Sequence, residues 1–212
     1  GVADMKDLVL ASASPRRAEL LRQIELSFRV EPSPDPEPLP DGRAPEVFAA
    51  YSAQCKARSV RRLLWERGAA LDALVVGADT IVCIDDLILG KPASPEEAAQ
   101  MLSRLSGRRH RVYTGLSVVS AERESSGCEV TSVQMKALSQ RDIDAYVSSG
   151  EPLDKAGSYG IQGRAGRFIE SIEGCYYNVV GLPLARLCAL LEDMDYDVVG
   201  AMGRDRIRED AL

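Results

Sequence analysis

Leu74-Val-Val-Gly-Ala-Asp-Thr-Ile-Val-Cys-Ile-Asp-Asp-Leu-Ile-Leu89 is the stretch on which the fold turns. Leu74 to Gly77 reads as a buried strand, and Ile81 to Ile84 and Leu87 to Leu89 flank Asp85-Asp86 as the two arms of a hairpin. A hairpin at this point breaks the strict strand–helix alternation of a doubly wound sheet. Upstream, Leu8-Val-Leu10 reads as a short strand leading into a helix, with Ser14 as N-cap and Pro15 as the first helical residue. Glu31 to Pro45 is a proline-rich loop, and a long helix follows over about Glu46 to Arg67 with Val47, Tyr51 and Cys55 at helical spacing. Downstream, Ser94-Pro-Glu-Glu97 is a capping box for a helix to Leu105, and Ser139 to Asp142 caps a helix to Ser148. Val112–Ser120, Cys128–Leu138 and Arg167–Ile172 read as strands, and Leu184–Met194 as a last helix. This order predicts an α/β fold with a mixed, elongated sheet and flanking helices.

Composition narrows the function classes. The 212 residues suffice for one domain or for two small lobes around a cleft. A net charge of -6 argues against a partner bound through nucleic-acid backbone, while leaving room for a local site for a small anion. The five cysteines form no CxxC pair and His110 is the single histidine, so a structural zinc site is not expected and the thiols read as reduced packing residues. No apolar run approaches the ~20 residues of a membrane span. Residues 1–6 lack the apolar region of a signal peptide, so the cytoplasm is the expected location.

Four segments carry chemistry. In Ser12-Ala-Ser-Pro-Arg-Arg17, two arginines occupy a first helical turn where acids are usual. A phosphate chain would compensate them, held by free backbone amides, by the Ser12 and Ser14 hydroxyls and by the guanidinium groups. In Gly77-Ala-Asp-Thr80, a carboxylate at the end of an apolar strand suits a metal ligand or a general base, or simply a turn. Gly90-Lys91-Pro92 lies where continued hairpin pairing would set Lys91 opposite Thr80, near Asp79, provided a bulge or strand end redirects one side chain. Asp154 to Gly163 has glycines at 157, 160 and 163, which suit a tight loop lining a ligand.

Taken with Leu102-Ser-Arg-Leu-Ser-Gly107, Glu151-Pro-Leu-Asp-Lys-Ala-Gly157, Tyr159-Gly-Ile-Gln-Gly163 and Tyr176-Tyr-Asn-Val-Val-Gly-Leu-Pro183, these segments resemble the Maf family of nucleoside triphosphate pyrophosphatases from about Leu8 to Leu191. The resemblance implies one Maf-like domain over 1–212, built like the inosine-triphosphatase fold as two lobes around a cleft, with residues 1–6 and about 196–212 peripheral. It implies a divalent cation, Mg or Mn, a nucleotide substrate and a homodimer. The family's general base falls on Asp79, and its phosphate ligands on Ser12, Arg17, Lys56 and Lys91. An acid of the loop after the first helix falls on Glu37, which with Asp79 would hold the metal; Pro36 stands where members often have a second acid. At three discriminating positions this chain has Arg16, Thr80 and Gln162, the set of the dTTP and UTP branch. The branch linked to 7-methyl-GTP has Trp, Gln and Glu there. A Gln amide donates and accepts toward a pyrimidine edge, whereas Trp would stack on a methylated cationic base. A nucleotide-binding regulator of septum formation is the alternative from another class.

Overall fold

The computed structural model describes residues 6–69 and 72–203. Strand β1 (Leu8–Leu10) runs into helix α1 (Pro15–Gln23), and β2 (Arg29–Val30) returns beside β1. The long helix α2 (Pro45–Glu66) precedes β3 (Leu74–Ile84) and β4 (Leu87–Leu89). Then come α3 (Pro95–Leu105), β5 (Arg109–Val119), β6 (Glu124–Met135) and α4 (Gln140–Ser148). Three short 3-10 turns lead to β7 (Ile169–Glu173), α5 (Tyr176–Val180), α6 (Leu184–Asp193) and α7 (Val198–Ala201). The sheet has the order β2-β1-β3-β5-β6-β7, with β4 on the β1 side of β3. The β1–β2 and β1–β3 pairs are parallel and the others antiparallel, so the sheet is mixed.

Three expectations change in ways that shape the site. Gly77-Ala-Asp-Thr80 is not at a strand end: β3 is one continuous strand of 11 residues that includes both apolar runs. Second, the hairpin turn forms, with Asp85 and Asp86 both at positive φ (50° and 61°) as a two-residue I′ turn requires. Its ladder nevertheless stops after Val82↔Leu89, so Lys91 never pairs with Thr80. Third, the stripe Val47, Tyr51 and Cys55 is not the buried face of α2: Val47 is 52% exposed, and Tyr51 lies under the Arg43 guanidinium at 3.8 Å. The buried stripe is Ala49, Ala53 and Ala57, because α2 meets the sheet at Gly77 and Gly115. A side chain at either glycine would fall on the Ala53 or Ala49 carbonyl, so helix and sheet touch backbone to backbone.

On the other sheet face, the core divides in two. Leu74, Val76, Ala78, Leu116 and Val118 pack under α1, α6 and α7. Val82, Ile84, Val112, Val133 and Met135 pack under α3 and α4. Burying each such aliphatic side chain contributes roughly 1.5–3 kcal/mol. Between the clusters lie Thr80 and its cross-strand partner Thr114, so these hydroxyls mark the floor between two lobes. Residues 196–203, expected at the periphery, instead add Tyr196, Val198 and Ala201 to the first cluster; residues 1–5 and 204–212 lie outside the described residues. The strand expected from Arg167 begins at Ile169, after a 3-10 turn over Arg164–Phe168. Ser139 and Asp142 form the full capping box, whereas Glu97 bonds the amide of Ala93 rather than that of Ser94. No described helix is long and apolar enough to cross a membrane.

His110 on β5 is 2% exposed, with Nε2 2.7 Å from the Tyr159 hydroxyl. Burial pushes its pKa down to about 4, a backbone contact to Arg108 opposing this. The folded value lies below the unfolded one of ~6.5. Between these values the unfolded chain binds a proton that the folded chain refuses, so stability falls as pH drops through the window. The loss should total about 3 kcal/mol. Urea titrations from pH 7.5 to 4 should show this slope in the wild type and a flatter one in His110→Gln; parallel slopes would discount it.

Candidate active site

The site follows from a gap in the sheet. On its outer side β3 is paired with β1 up to Val76 and with β4 from Val82. Residues Gly77 to Ile81 have no strand partner there. Adjacent residues on a strand face opposite ways, yet at an open edge both can line one cleft. Asp79 and Thr80 do so from the two sheet faces, with neither a bulge nor a strand end. The cleft has a volume of about 690 Å³, ordinary for a small-molecule site. Arg16, Arg17, Lys56, Lys91 and Lys155 line it against Asp35, Glu37, Asp79 and Asp154. In a chain of net charge -6, five cations against four carboxylates leave this cleft slightly positive.

Asp79 lies on the α2 face, with its side chain 14% exposed. Lys56, on the buried stripe of α2, brings Nζ within 2.6 Å of Asp79 Oδ1 and 3.0 Å of Glu37 Oε1. Lys91 Nζ reaches the same Glu37 oxygen at 3.5 Å. Thus Asp79 and Lys91 share the cleft through Lys56 and Glu37, rather than through strand pairing. Burial alone would raise the Glu37 pKa, but the ammonium groups of Lys56 and then Lys91 outweigh it and hold the carboxyl below its ordinary range. The loop carrying Glu37 is tied down by Asp35 on Arg62 and by Glu31 on Arg67.

Thr80 lies on the opposite face with Arg17. Ser14 occupies the N-cap position of α1, but its side chain makes no cap bond. Ser12 Oγ accepts from the amide of Ser14 itself at 3.2 Å, which is not one of the first-turn amides that a cap would satisfy. Arg17 does not extend into solvent: it donates to the Gly181 carbonyl (2.8 Å), Ser12 Oγ (3.1 Å) and Thr80 Oγ1 (3.1 Å). Thr114 donates its one proton to the Asn178 carbonyl at 3.0 Å, so in the 2.8 Å Thr80–Thr114 contact Thr80 is the donor. The chain Arg17→Thr80→Thr114→Asn178 therefore runs one way and locks the guanidinium. Burial lowers the Arg17 pKa and the Asp79 carboxylate opposes that; the group stays a cation, as arginine does in proteins. Two of its five N–H donors remain for a ligand at the mouth of α1.

Arg16 and Gln162 line the same cleft from α1 and from the glycine loop. The Thr80 hydroxyl is committed to Arg17 and Thr114. The structure therefore brings all ten sequence-derived residues to one cleft or its wall. Sequence reasoning missed Thr114, Asn178 and Gly181. The signal available was a threonine between Val112 and Leu116 in a strand, and an asparagine in the Tyr176–Pro183 motif, which the fold buries fully. Its amide bonds the Val112 carbonyl and Thr131 Oγ1. Among the described residues, no group of three or more His, Cys, Asp or Glu forms a ready metal site.

The family described as Maf-like protein matches residues 7–194. The chain is 47% identical over 197 residues to a protein of Pelotomaculum thermopropionicum named dTTP/UTP pyrophosphatase, covering 92% of this chain and 100% of that one. Proteins of the same name from Moorella thermoacetica (48% over 198 residues; 92% and 99% covered) and Bacillus cereus strain G9842 (45% over 202 residues; 93% and 100%) are similar. Among solved structures, the Staphylococcus aureus Ham1 protein superposes with a TM-score of 0.48 at 14% identity, covering 89% of this chain and 100% of that one.

Proposed function

Since the chain belongs to the Maf-like protein family, we propose that it is a nucleoside triphosphate pyrophosphohydrolase, converting dTTP and UTP to the monophosphate and pyrophosphate. The observation that carries this reading is the meeting of Asp79, Lys56 and Glu37 at the open edge of β3, beside the locked Arg17 at the start of α1. A cluster of fixed cations beside one buried carboxylate suits attack by water on a polyanion.

In this reading the triphosphate lies across the α1 N-terminus. Ser12, Ser14, Arg17, Lys56 and Lys91 hold its oxygens, using the amides and positive dipole end of the helix. Asp79 takes a proton from the water that attacks the α-phosphorus in line. The new bond joins water oxygen to phosphorus, the α–β bridge breaks, and pyrophosphate departs with the bridging oxygen. Preorganised charge and position lower the barrier. When bound, a divalent cation such as Mg or Mn would neutralise charge on the phosphate oxygens. Asp79 and Glu37 would hold it, and these donors fit the group: Mg sites commonly use one or two carboxylates with phosphate and water completing the shell. Both carboxylates already converge on one cation, the Lys56 ammonium.

Arg16 and Gln162 would face the base, and Thr80 would act on it indirectly through Arg17. A panel of dTTP, UTP, CTP and 7-methyl-GTP with Mg or Mn tests the reading. Equal amounts of monophosphate and pyrophosphate are expected from the pyrimidine nucleotides. Release of single phosphate, or tight binding without turnover, would overturn it; preference for 7-methyl-GTP would overturn the branch.

A further inference from the structure

Of the two sequence motifs Glu151 to Gly157 and Tyr159 to Gly163, only Gln162 has a part in the reading above. They meet each other in the structure. The Gly160 amide donates to the Tyr146 hydroxyl at 3.3 Å, and that hydroxyl donates to Glu151 Oε1 at 3.1 Å. The Arg164 amide donates to Glu151 Oε2 at 3.2 Å. One carboxylate thus fastens the chain two residues before and two residues after Gln162. The glycines fit the same arrangement. A Cβ at Gly163 would fall on the Glu151 carboxylate, and one at Gly160 would lie 2.6 Å from Lys155 Cε. Lys155 Nζ in turn donates to the Glu151 carbonyl at 2.7 Å. Tyr146 is buried on α4 and its ring stands edge-on to Phe168 at 5.4 Å, so the anchor belongs to the lobe core. Gln162 is exposed at the tip and lines the cleft.

We propose that Glu151 and Tyr146 are positioning residues that clamp loop 160–164, set the side chain of Gln162 and thereby determine which nucleobase the cleft accepts. The inference rests on the nucleotide reading of the cleft. A carboxylate suits the place because both of its oxygens accept, and charge strengthens both bonds. A Gln at 151 keeps one neutral acceptor, and its NH₂ leaves the Tyr146 hydroxyl proton without an acceptor, so the charge-assisted hold on the loop is weakened. A Gln162 free to move no longer presents a fixed donor and acceptor, and discrimination built on hydrogen bonds is lost when they are not held.

The test uses kcat/KM for dTTP relative to GTP in the full chain, with pyrophosphate as readout. Gln162→Ala should lower this ratio by about tenfold. Glu151→Gln and Tyr146→Phe should each lower it similarly, with pyrophosphate still the product and affinity for inorganic pyrophosphate unchanged. Glu151→Gln added to Gln162→Ala should lower it no further, since the clamp acts through that side chain. Tyr146→Phe retains the packed ring, so it carries the test if Glu151→Gln does not fold. A ratio that falls in Gln162→Ala but holds in both clamp variants would overturn the clamp alone. So would a clamp effect that persists without Gln162. A ratio that Gln162→Ala leaves unchanged would overturn the base-reading role and the clamp with it, while pyrophosphate release by the wild type would still stand.

Discussion

Replacing Asp79 by Asn should cut pyrophosphate release from dTTP by at least ~10³-fold while leaving the fold in place. Asn has the size and shape of Asp but cannot accept a proton from water, and general-base removal typically costs 10²–10⁴ in rate. The substitution also removes a negative charge 2.6 Å from the Lys56 ammonium. Stranding a buried lysine would ordinarily be costly. Here Lys56 keeps Glu37 at 3.0 Å, and an Asn oxygen still accepts, so the unfolding midpoint should move little. Without added divalent cation, nucleotide affinity should persist or rise, because the phosphates lose a repulsive neighbour. Steady-state pyrophosphate release, calorimetric binding of dTTP and a urea titration together make the check. Full turnover by Asp79→Asn would remove Asp79 as the base; loss of folding would show that the carboxylate is structural first.

The second large effect is on stability, at Gly115→Ala. Gly115 lies on β5 directly opposite Asp79. A Cβ there would overlap the Ala49 carbonyl and the Ala50 amide of α2. These are backbone atoms of a 22-residue helix, so no side-chain rotation relieves the clash. Overpacking usually costs ~1–3 kcal/mol, and a clash that can be relieved only by moving a helix belongs at or beyond the top of that range, above ~3 kcal/mol. The same shift would disturb the site, because Lys56 lies two turns along α2 and must meet Asp79. Gly127→Ala is the control. Its Cβ would meet only the flexible Arg186 side chain, at 3.4 Å, and should be nearly neutral. Equal urea midpoints for the two variants would contradict the backbone-to-backbone contact of α2 with the sheet.

Much of this protein is decided within short stretches of chain. Apolar runs and turn residues specify β1, β3 and β4, and Asp85-Asp86 takes up the two positive φ values its turn needs. Pro15, Ser94 and Ser139 mark helix starts because caps and first-turn prolines act locally. Some of the cleft residues were legible because their types betray a conflict: arginines at a helix start, and a carboxylate among aliphatics; Lys56 and Glu37 carried no such local signal and came from the family resemblance alone. What tertiary structure alone decided is how these residues relate. Local pattern could not show that β1 and β4 leave Gly77 to Ile81 unpaired, because register arises between distant segments. Nor could it show that α2 turns its alanines rather than Val47 and Tyr51 to the sheet. That choice is made by Gly77 and Gly115, respectively twenty-four and sixty-six residues beyond their contacts Ala53 and Ala49. From that contact follow the burial of Lys56, the pairing with Asp79 and the charge of the cleft. Hydrophobic periodicity tells a helix which side is apolar, but only the shape of the opposing surface determines how near it comes and which side chains then meet.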